Sequence, residues 1–171
     1  MTDQANTGIF GKERAIKVLM SIAAIVLILV ATRMYSYLLF HSMAELLTVS
    51  FAFTIFLLVW NSRSLIDNGY IKFIGIGYAV CAVIDLIHML AFKGMNIFTG
   101  YDANLPTQLW MAARFLQAMT LAAAPFAYRK TLRLEVIVVC FSLAALFLVG
   151  ATFSGVFPDC YREGIGLTLS R

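Results

Sequence analysis

Long apolar runs, separated by short polar segments, dominate this sequence. Most of the runs are close to the roughly 20 residues that an α-helix needs to cross the hydrocarbon core of a bilayer. The pattern therefore predicts an all-α fold, a polytopic transmembrane helix bundle with five spanning helices. The predicted helices cover about residues 16–32, 38–60, 70–92, 106–127 and 134–153.

The polar segments mark where the chain leaves the membrane. Asn61–Gly69 is a turn rich in Asn, Ser and Gly, and Lys93–Leu105 is the longest loop between helices. Pro106 suits the first turn of the fourth helix. A brief interfacial turn at Arg33–Tyr37, which has neither Gly nor Pro, is expected to join the first two helices.

The ends of the chain lie outside the predicted helices. We expect residues 1–14 to form a cytoplasmic lead-in and residues 15–171 the membrane domain, with residues 154–171 as a periplasmic tail. The predicted number of helices is odd, and the chain stops abruptly after the last of them. We therefore expect a bundle truncated from a larger one.

Composition supports a membrane protein and excludes a nucleic-acid-binding one. Hydrophobic residues make up 61% of the chain and charged residues 13%, against about 45–50% and about 25% in soluble domains. The net charge is +4, but the basic residues punctuate the ends of apolar runs. Under the positive-inside rule their distribution places the N-terminus in the cytoplasm. The inner side would carry Lys12, Arg14, Lys17, Arg63, Lys72, Arg129, Lys130 and Arg133, and the outer side Arg33, Lys93, Arg162 and Arg171.

Three of the apolar runs contain pairs of polar residues at helical spacing. A carboxylate in hydrocarbon costs roughly 2.5–3.5 kcal/mol on insertion scales, so it needs compensation. Residues three or four apart share one face of a helix. With a rise of about 1.5 Å per residue, the predicted topology places these pairs in one layer toward the outer leaflet. The pairs are His41 with Glu45, Asp85 with His88, and Arg114 with Gln117.

Several chemistries fit this set, and the residue types alone leave them open. The polar residues can serve as an ion-pair network that glues helices together. Two imidazoles and two carboxylates suit a transition metal, and His41 and His88 suit the axial positions of a haem. An organic ligand such as a quinone, or a proton relay, uses the same residues. The cofactor is therefore unknown, with a transition metal or haem as candidates.

Two further features bear on this region. Gly75 and Gly77 in the third helix predict a close contact with a neighbouring helix. Residues in and after the third loop are expected to lie over the candidate site, namely Tyr101, Asp102, Asn104 and Trp110.

Beyond these patterns, short motifs resemble the bacterial membrane-associated sensor domain of the third type. The resemblance extends from about Tyr35 to Leu169, and its most specific piece is Gly100–Trp110. The other matching segments are Phe40–Glu45, Trp60–Arg63, Asp85–His88, Lys93–Met95, Ala113–Arg114, Phe157–Tyr161 and Glu163–Gly164.

The resemblance implies a sensory input domain in the bacterial inner membrane. Domains of this family precede the output domains of histidine kinases and GGDEF diguanylate cyclases, so two-component or cyclic di-GMP signalling is implied, with no catalysis by this segment. The family's characteristic positions fall on His41, Glu45, Asp85, His88 and Arg114. The implied partners are the lipid bilayer, a small ligand or metal from the periplasmic side, a cytoplasmic output domain and a second copy of the chain in a homodimer. The alternative is a redox or transport subunit with haem or quinone at the same residues.

Overall fold

The protein is almost entirely helical. The computed structural model describes residues 2–128, 133–162 and 164–168, with side chains from residue 12 onward. Five α-helices are followed by a short antiparallel hairpin, which confirms the predicted all-α class. The elements are α1 Thr2–Tyr35, α2 Tyr37–Asn61, α3 Gly69–Ala91, α4 Asn104–Ala123 with a 3₁₀ turn at Ala124–Ala127, α5 Leu134–Phe153, β1 Tyr161–Arg162 and β2 Gly166–Leu167.

Within the described residues, four helices are long and apolar enough to cross a membrane. They are the segment Lys12–Tyr35 of α1 and the whole of α2, α3 and α5. The fourth helix, α4, is not among them although it has 20 residues. Its polar side chains lower its hydropathy, and these include the candidate site residues Arg114 and Gln117.

The start of the chain differs from the prediction. α1 begins at Thr2 and includes the segment that was expected to be a lead-in. The predicted turn at Arg33–Tyr37 shrinks to Ser36 alone, and helical hydrogen bonds continue through it: Ser36 N donates to Thr32 O at 2.8 Å, and Phe40 N donates to Ser36 O at 3.0 Å. Without Gly or Pro in this stretch, nothing in the local backbone ends the helix.

The chain divides into two compact units, residues 1–44 and residues 45–171. In the second unit α3 packs against both α4 and α5. Their facing sides form one apolar core, which contains Ile76, Cys81, Ile84, Leu105, Leu109, Ala113, Leu116, Ile137, Phe141 and Ala145.

Gly75 and Gly77 allow neighbouring helices to approach α3 closely, as predicted. A Cβ on Gly75 would lie 2.7 Å from Val59 Cγ2 of α2. A Cβ on Gly77 would lie 2.8 Å from Thr120 Oγ1 of α4 and 3.1 Å from Phe141 Cζ of α5. Both glycines thus create the space in which helices pack closely around α3.

A short hairpin follows α5. Tyr161 pairs with Leu167, and Arg162 pairs with Gly166, in a two-stranded hairpin. Some residues used in the sequence argument lie outside the described part of the chain, namely Arg129, Lys130, Glu163, Leu169 and Arg171.

Candidate functional site

The polar layer of the second unit is built around α3. Asp85 and His88, three residues apart, are each only 6% exposed. Their spacing places both side chains on one face of the helix, and the surrounding core covers that face. Any partner of these two residues must therefore come from the neighbouring helices.

Arg114 of α4 provides the partner of Asp85. Its Nη2 forms an ion pair with Asp85 Oδ2, and its Nη1 donates to Gln117 Oε1 at 2.6 Å. The Asp85 side chain is 9% exposed and the Arg114 side chain 37%. Within the described residues, Asp85 Oδ1 and Arg114 Nε have no hydrogen-bond partner, so the pair uses only part of its bonding capacity.

His88 connects α3 to both α4 and α2. Its Nδ1 lies 2.7 Å from the carbonyl oxygen of Pro106 in the first turn of α4. A carbonyl can only accept, so Nδ1 carries the proton and donates. The other ring nitrogen, Nε2, lies 4.0 Å from Glu45 Oε1 of α2. The spacing-based candidates Glu45, Asp85, His88, Arg114 and Gln117 are thus brought together.

A cleft of about 230 Å³ lies beside the ion pair, between α2, α3 and α4. One end presents charge and amide groups, and most of the wall is apolar or aromatic. Such a mixture, a mainly apolar wall with a few placed polar groups, is typical of small-molecule sites. The lining residues are Thr48, Phe51, Ala52, Ile55, Tyr78, Cys81, Ala82, Asp85, Arg114 and Gln117.

The remaining sequence candidates have other positions. His41 belongs to the first unit, one helical turn before Glu45 in α2. Tyr101 packs edge to face on Phe153, with ring centroids 5.5 Å apart. Trp110 is 43% exposed on α4. The described lining of the cleft includes none of the four residues expected to lie over the site, namely Tyr101, Asp102, Asn104 and Trp110.

A family model for a membrane-associated sensor domain matches residues 32–171. The chain belongs to this family, MASE3. No curated protein and no solved structure matches the chain. As a MASE3 domain, this multi-pass membrane segment has a sensory input role, and a sensor domain is not itself catalytic.

Asn104 of the MASE3 domain organises the tail. Its Oδ1 accepts from the backbone N–H groups of Cys160 and Tyr161, at 2.9 Å each, and its Nδ2 donates to Asp159 Oδ1 at 3.0 Å. Asp102, two residues earlier, accepts from Asn104 N at 2.9 Å and so shapes the start of α4. Asn104 therefore acts at the tail, and Asp102 acts at the start of α4.

Gln108, one turn further along α4, completes this anchor. It is 5% exposed, and its Nε2 donates to the carbonyl oxygens of Phe157 and Pro158 at 2.9 and 3.0 Å. Sequence reasoning missed Gln108. Its spacing of four from Asn104 was a signal, because residues four apart lie on the same side of a helix.

The tail allows a test of this arrangement at Cys160. Burial, and then the Asp159 carboxylate, raise the pKa of the Cys160 thiol above its usual value. We expect Asp159→Asn to remove one of these causes and lower that pKa. More of the reactive thiolate then exists at each pH, so the curve of maleimide labelling rate against pH shifts to lower pH.

The labelling is measured in a Cys81→Ala, Cys140→Ala background, so that Cys160 is the remaining thiol. Asp67→Asn, at an exposed position between α2 and α3, is the matched control and should leave the curve unchanged. Identical curves for Asp159→Asn and its parent would contradict the effect of the Asp159 charge on the pKa of the Cys160 thiol.

Proposed function

We propose that this MASE3 domain detects a small ligand or metal through the polar residues between α2, α3 and α4. The candidate binding residues are Glu45, Asp85, His88, Arg114 and Gln117. His41 is included on sequence grounds, because it is four residues from Glu45 in a continuous helix.

The observation that carries the proposal is the partly buried Asp85–Arg114 pair at the wall of the 230 Å³ cleft. Ionisable residues inside membrane segments are costly and mark functional sites by default. A structural pair alone needs no neighbouring cavity. Unused capacity at Asp85 Oδ1 and Arg114 Nε also means that a different arrangement of this pair can form additional bonds.

The proposed mechanism is a shift in helix packing. A ligand that enters from the outer side contacts three helices at once, because the cleft is lined by α2, α3 and α4. It changes their arrangement only if it binds one packing more tightly than another. The N-terminus would lie in the cytoplasm and the domain in the bacterial inner membrane. A linked cytoplasmic output domain would receive the shift.

The proposal predicts that an organic ligand or haem binds in the cleft and is displaced when the cleft is filled. Ala52 lines the cleft, and Ala52→Phe places a ring there. We expect a bound species in wild-type protein in mild detergent, and at least about tenfold less of it in Ala52→Phe because its volume is taken. Native mass spectrometry, elemental analysis and a visible spectrum identify organic, metal and haem species respectively.

Ala122→Phe is the matched control, because Ala122 lies at an exposed position of α4 away from the cleft lining. It should retain the bound species. Titration of both variants with haemin and a short-chain benzoquinone covers species that are lost on purification. Equal binding by wild type, Ala52→Phe and Ala122→Phe would contradict the cleft as the site.

A further inference from the structure

The hydrogen bond between α3 and α4 determines which nitrogen of the neutral His88 ring carries the proton. Nδ1 donates to the Pro106 carbonyl at 2.7 Å, so in the neutral ring Nε2 carries a lone pair. A backbone carbonyl that accepts from one ring nitrogen is the usual outer partner of a histidine whose other nitrogen binds a metal. His88 is therefore oriented as a metal ligand.

The atom that His88 Nε2 faces is also an acceptor. Glu45 Oε1 lies 4.0 Å from it, which exceeds the roughly 2.7–3.2 Å of an N–H···O hydrogen bond. Two ligands of one tetrahedral zinc ion, each about 2.0–2.1 Å from it, are separated by about 3.3 Å. The observed separation exceeds a direct hydrogen bond, and the two atoms need to approach each other by about 0.7 Å to bind one zinc ion.

Charge and burial favour a cation between these two atoms. The side chains of His88 and Glu45 are 7% and 19% exposed. The charges that act on Glu45 come from His88, Asp85 and Arg114. With Glu45 ionised and His88 neutral, two carboxylates against one guanidinium leave one uncompensated negative charge. A divalent cation reverses that imbalance, and the Asp85–Arg114 pair limits repulsion from Arg114 because its charge is already matched.

We infer that Glu45 and His88 are ligands of a divalent transition-metal ion of the zinc class. Imidazole nitrogen and carboxylate oxygen are both ordinary zinc ligands, and solvent or a further side chain completes the coordination. The inference rests on the proposed function, since it names the ligand class of part of the same polar layer. It assigns the metal to the Glu45–His88 gap, whereas the cleft beside Arg114 remains the place for an organic molecule.

The test uses zinc and cobalt(II) with the whole chain in detergent, after tag removal. Wild type should bind about one equivalent of zinc, and cobalt should give the visible bands of a four-coordinate site. Glu45→Gln and His88→Asn should each weaken zinc binding by more than about 100-fold, since the loss of a mere outer partner already costs 10–100-fold. In His88→Asn the amide Nδ2 can still donate to Pro106 O, so the contact between α3 and α4 is retained while Nε2 is lost.

Two controls keep the outcome interpretable. Glu135→Gln, at an exposed position in the first turn of α5, should bind zinc like wild type. Thermal unfolding shows whether each variant is folded. Folded wild type that binds no zinc, or variants that bind it unchanged, would overturn the inference. If zinc does not bind but the cleft lined by Ala52 still binds an organic molecule, this inference fails and the proposed function stands. The two failures are therefore distinguishable.

Discussion

Arg114→Gln is expected to lower the free energy of unfolding by about 3 kcal/mol. Removing one partner of a buried ion pair leaves the other charge uncompensated, which costs about 3–5 kcal/mol. Asp85 is the buried partner, with 9% of its side chain exposed, whereas 37% of the Arg114 side chain is exposed. Solvent screening at Arg114 therefore places the effect at the lower end of that range. The free energy of unfolding is measured in mixed micelles with an increasing fraction of dodecyl sulfate.

The matched control is Arg162→Gln. Arg162 also pairs with an aspartate, Asp159, at 3.1 Å, but their side chains are 62% and 51% exposed. An exposed pair contributes about 0–1 kcal/mol, so this variant should be nearly neutral. If Arg114→Gln costs no more than Arg162→Gln, the intramembrane pair does not stabilise the bundle.

A double-mutant cycle separates the pair from its surroundings. The Asp85→Asn, Arg114→Gln double variant should lose clearly less than the sum of the two single variants, because neither charge is then left alone. Arg114→Lys keeps the charge, but an ammonium group lacks the fork that reaches Asp85 and Gln117 together. Its stability should therefore lie between those of Arg114→Gln and wild type.

Gly77→Val should destabilise the bundle by a similar amount, about 3 kcal/mol. The first atom of any side chain at this position would lie 2.8 Å from Thr120 Oγ1 and 3.1 Å from Phe141 Cζ. Thr120 is 1% exposed, so it has little room to move. Overpacking of this kind costs about 1–3 kcal/mol, and two helices must shift here. The same mixed-micelle titration measures the loss.

Gly150→Val tests whether the effect comes from packing. Gly150 is also helical, in α5, but a Cβ there meets nothing within 4 Å. That variant should stay within about 0.5 kcal/mol of wild type. Thr120→Ser removes the methyl group that the new Cβ approaches most closely and keeps the hydroxyl that donates to Leu116 O at 2.7 Å. We therefore combine Thr120→Ser with Gly77→Ala, a milder substitution than Gly77→Val. Thr120→Ser should recover part of the free energy of unfolding that Gly77→Ala loses. No recovery would contradict the described close approach of Gly77 and Thr120.

Much of the helical architecture could be predicted because hydropathy is a local property. The observed α5, Leu134–Phe153, has the predicted bounds, and α3 differs from its predicted range by one residue at each end. The start of α1 could not be predicted in the same way. The first eleven residues are too polar to form an apolar run, yet they continue the helix backward to Thr2.

The candidate site was predictable in part, for a related reason. Spacing of three or four identified which residues share a face of each helix, and depth from the topology suggested that the faces meet. The loop residues were less predictable. Asn104 and Asp102 were expected over the site, but their bonds run to the tail and to the start of α4. Hydrogen-bond partners more than 50 residues apart leave no periodic signal in the chain.

The sequence by itself determined the helix content, the membrane class and the set of candidate polar residues, because composition and helical period follow from neighbours along the chain. Only the tertiary structure decided how those residues combine. It pairs Arg114 with Asp85, places His88 Nε2 opposite Glu45, and opens a cleft beside the ion pair. These outcomes depend on the rotation and depth of one helix against another, and close packing at Gly75 and Gly77 constrains both.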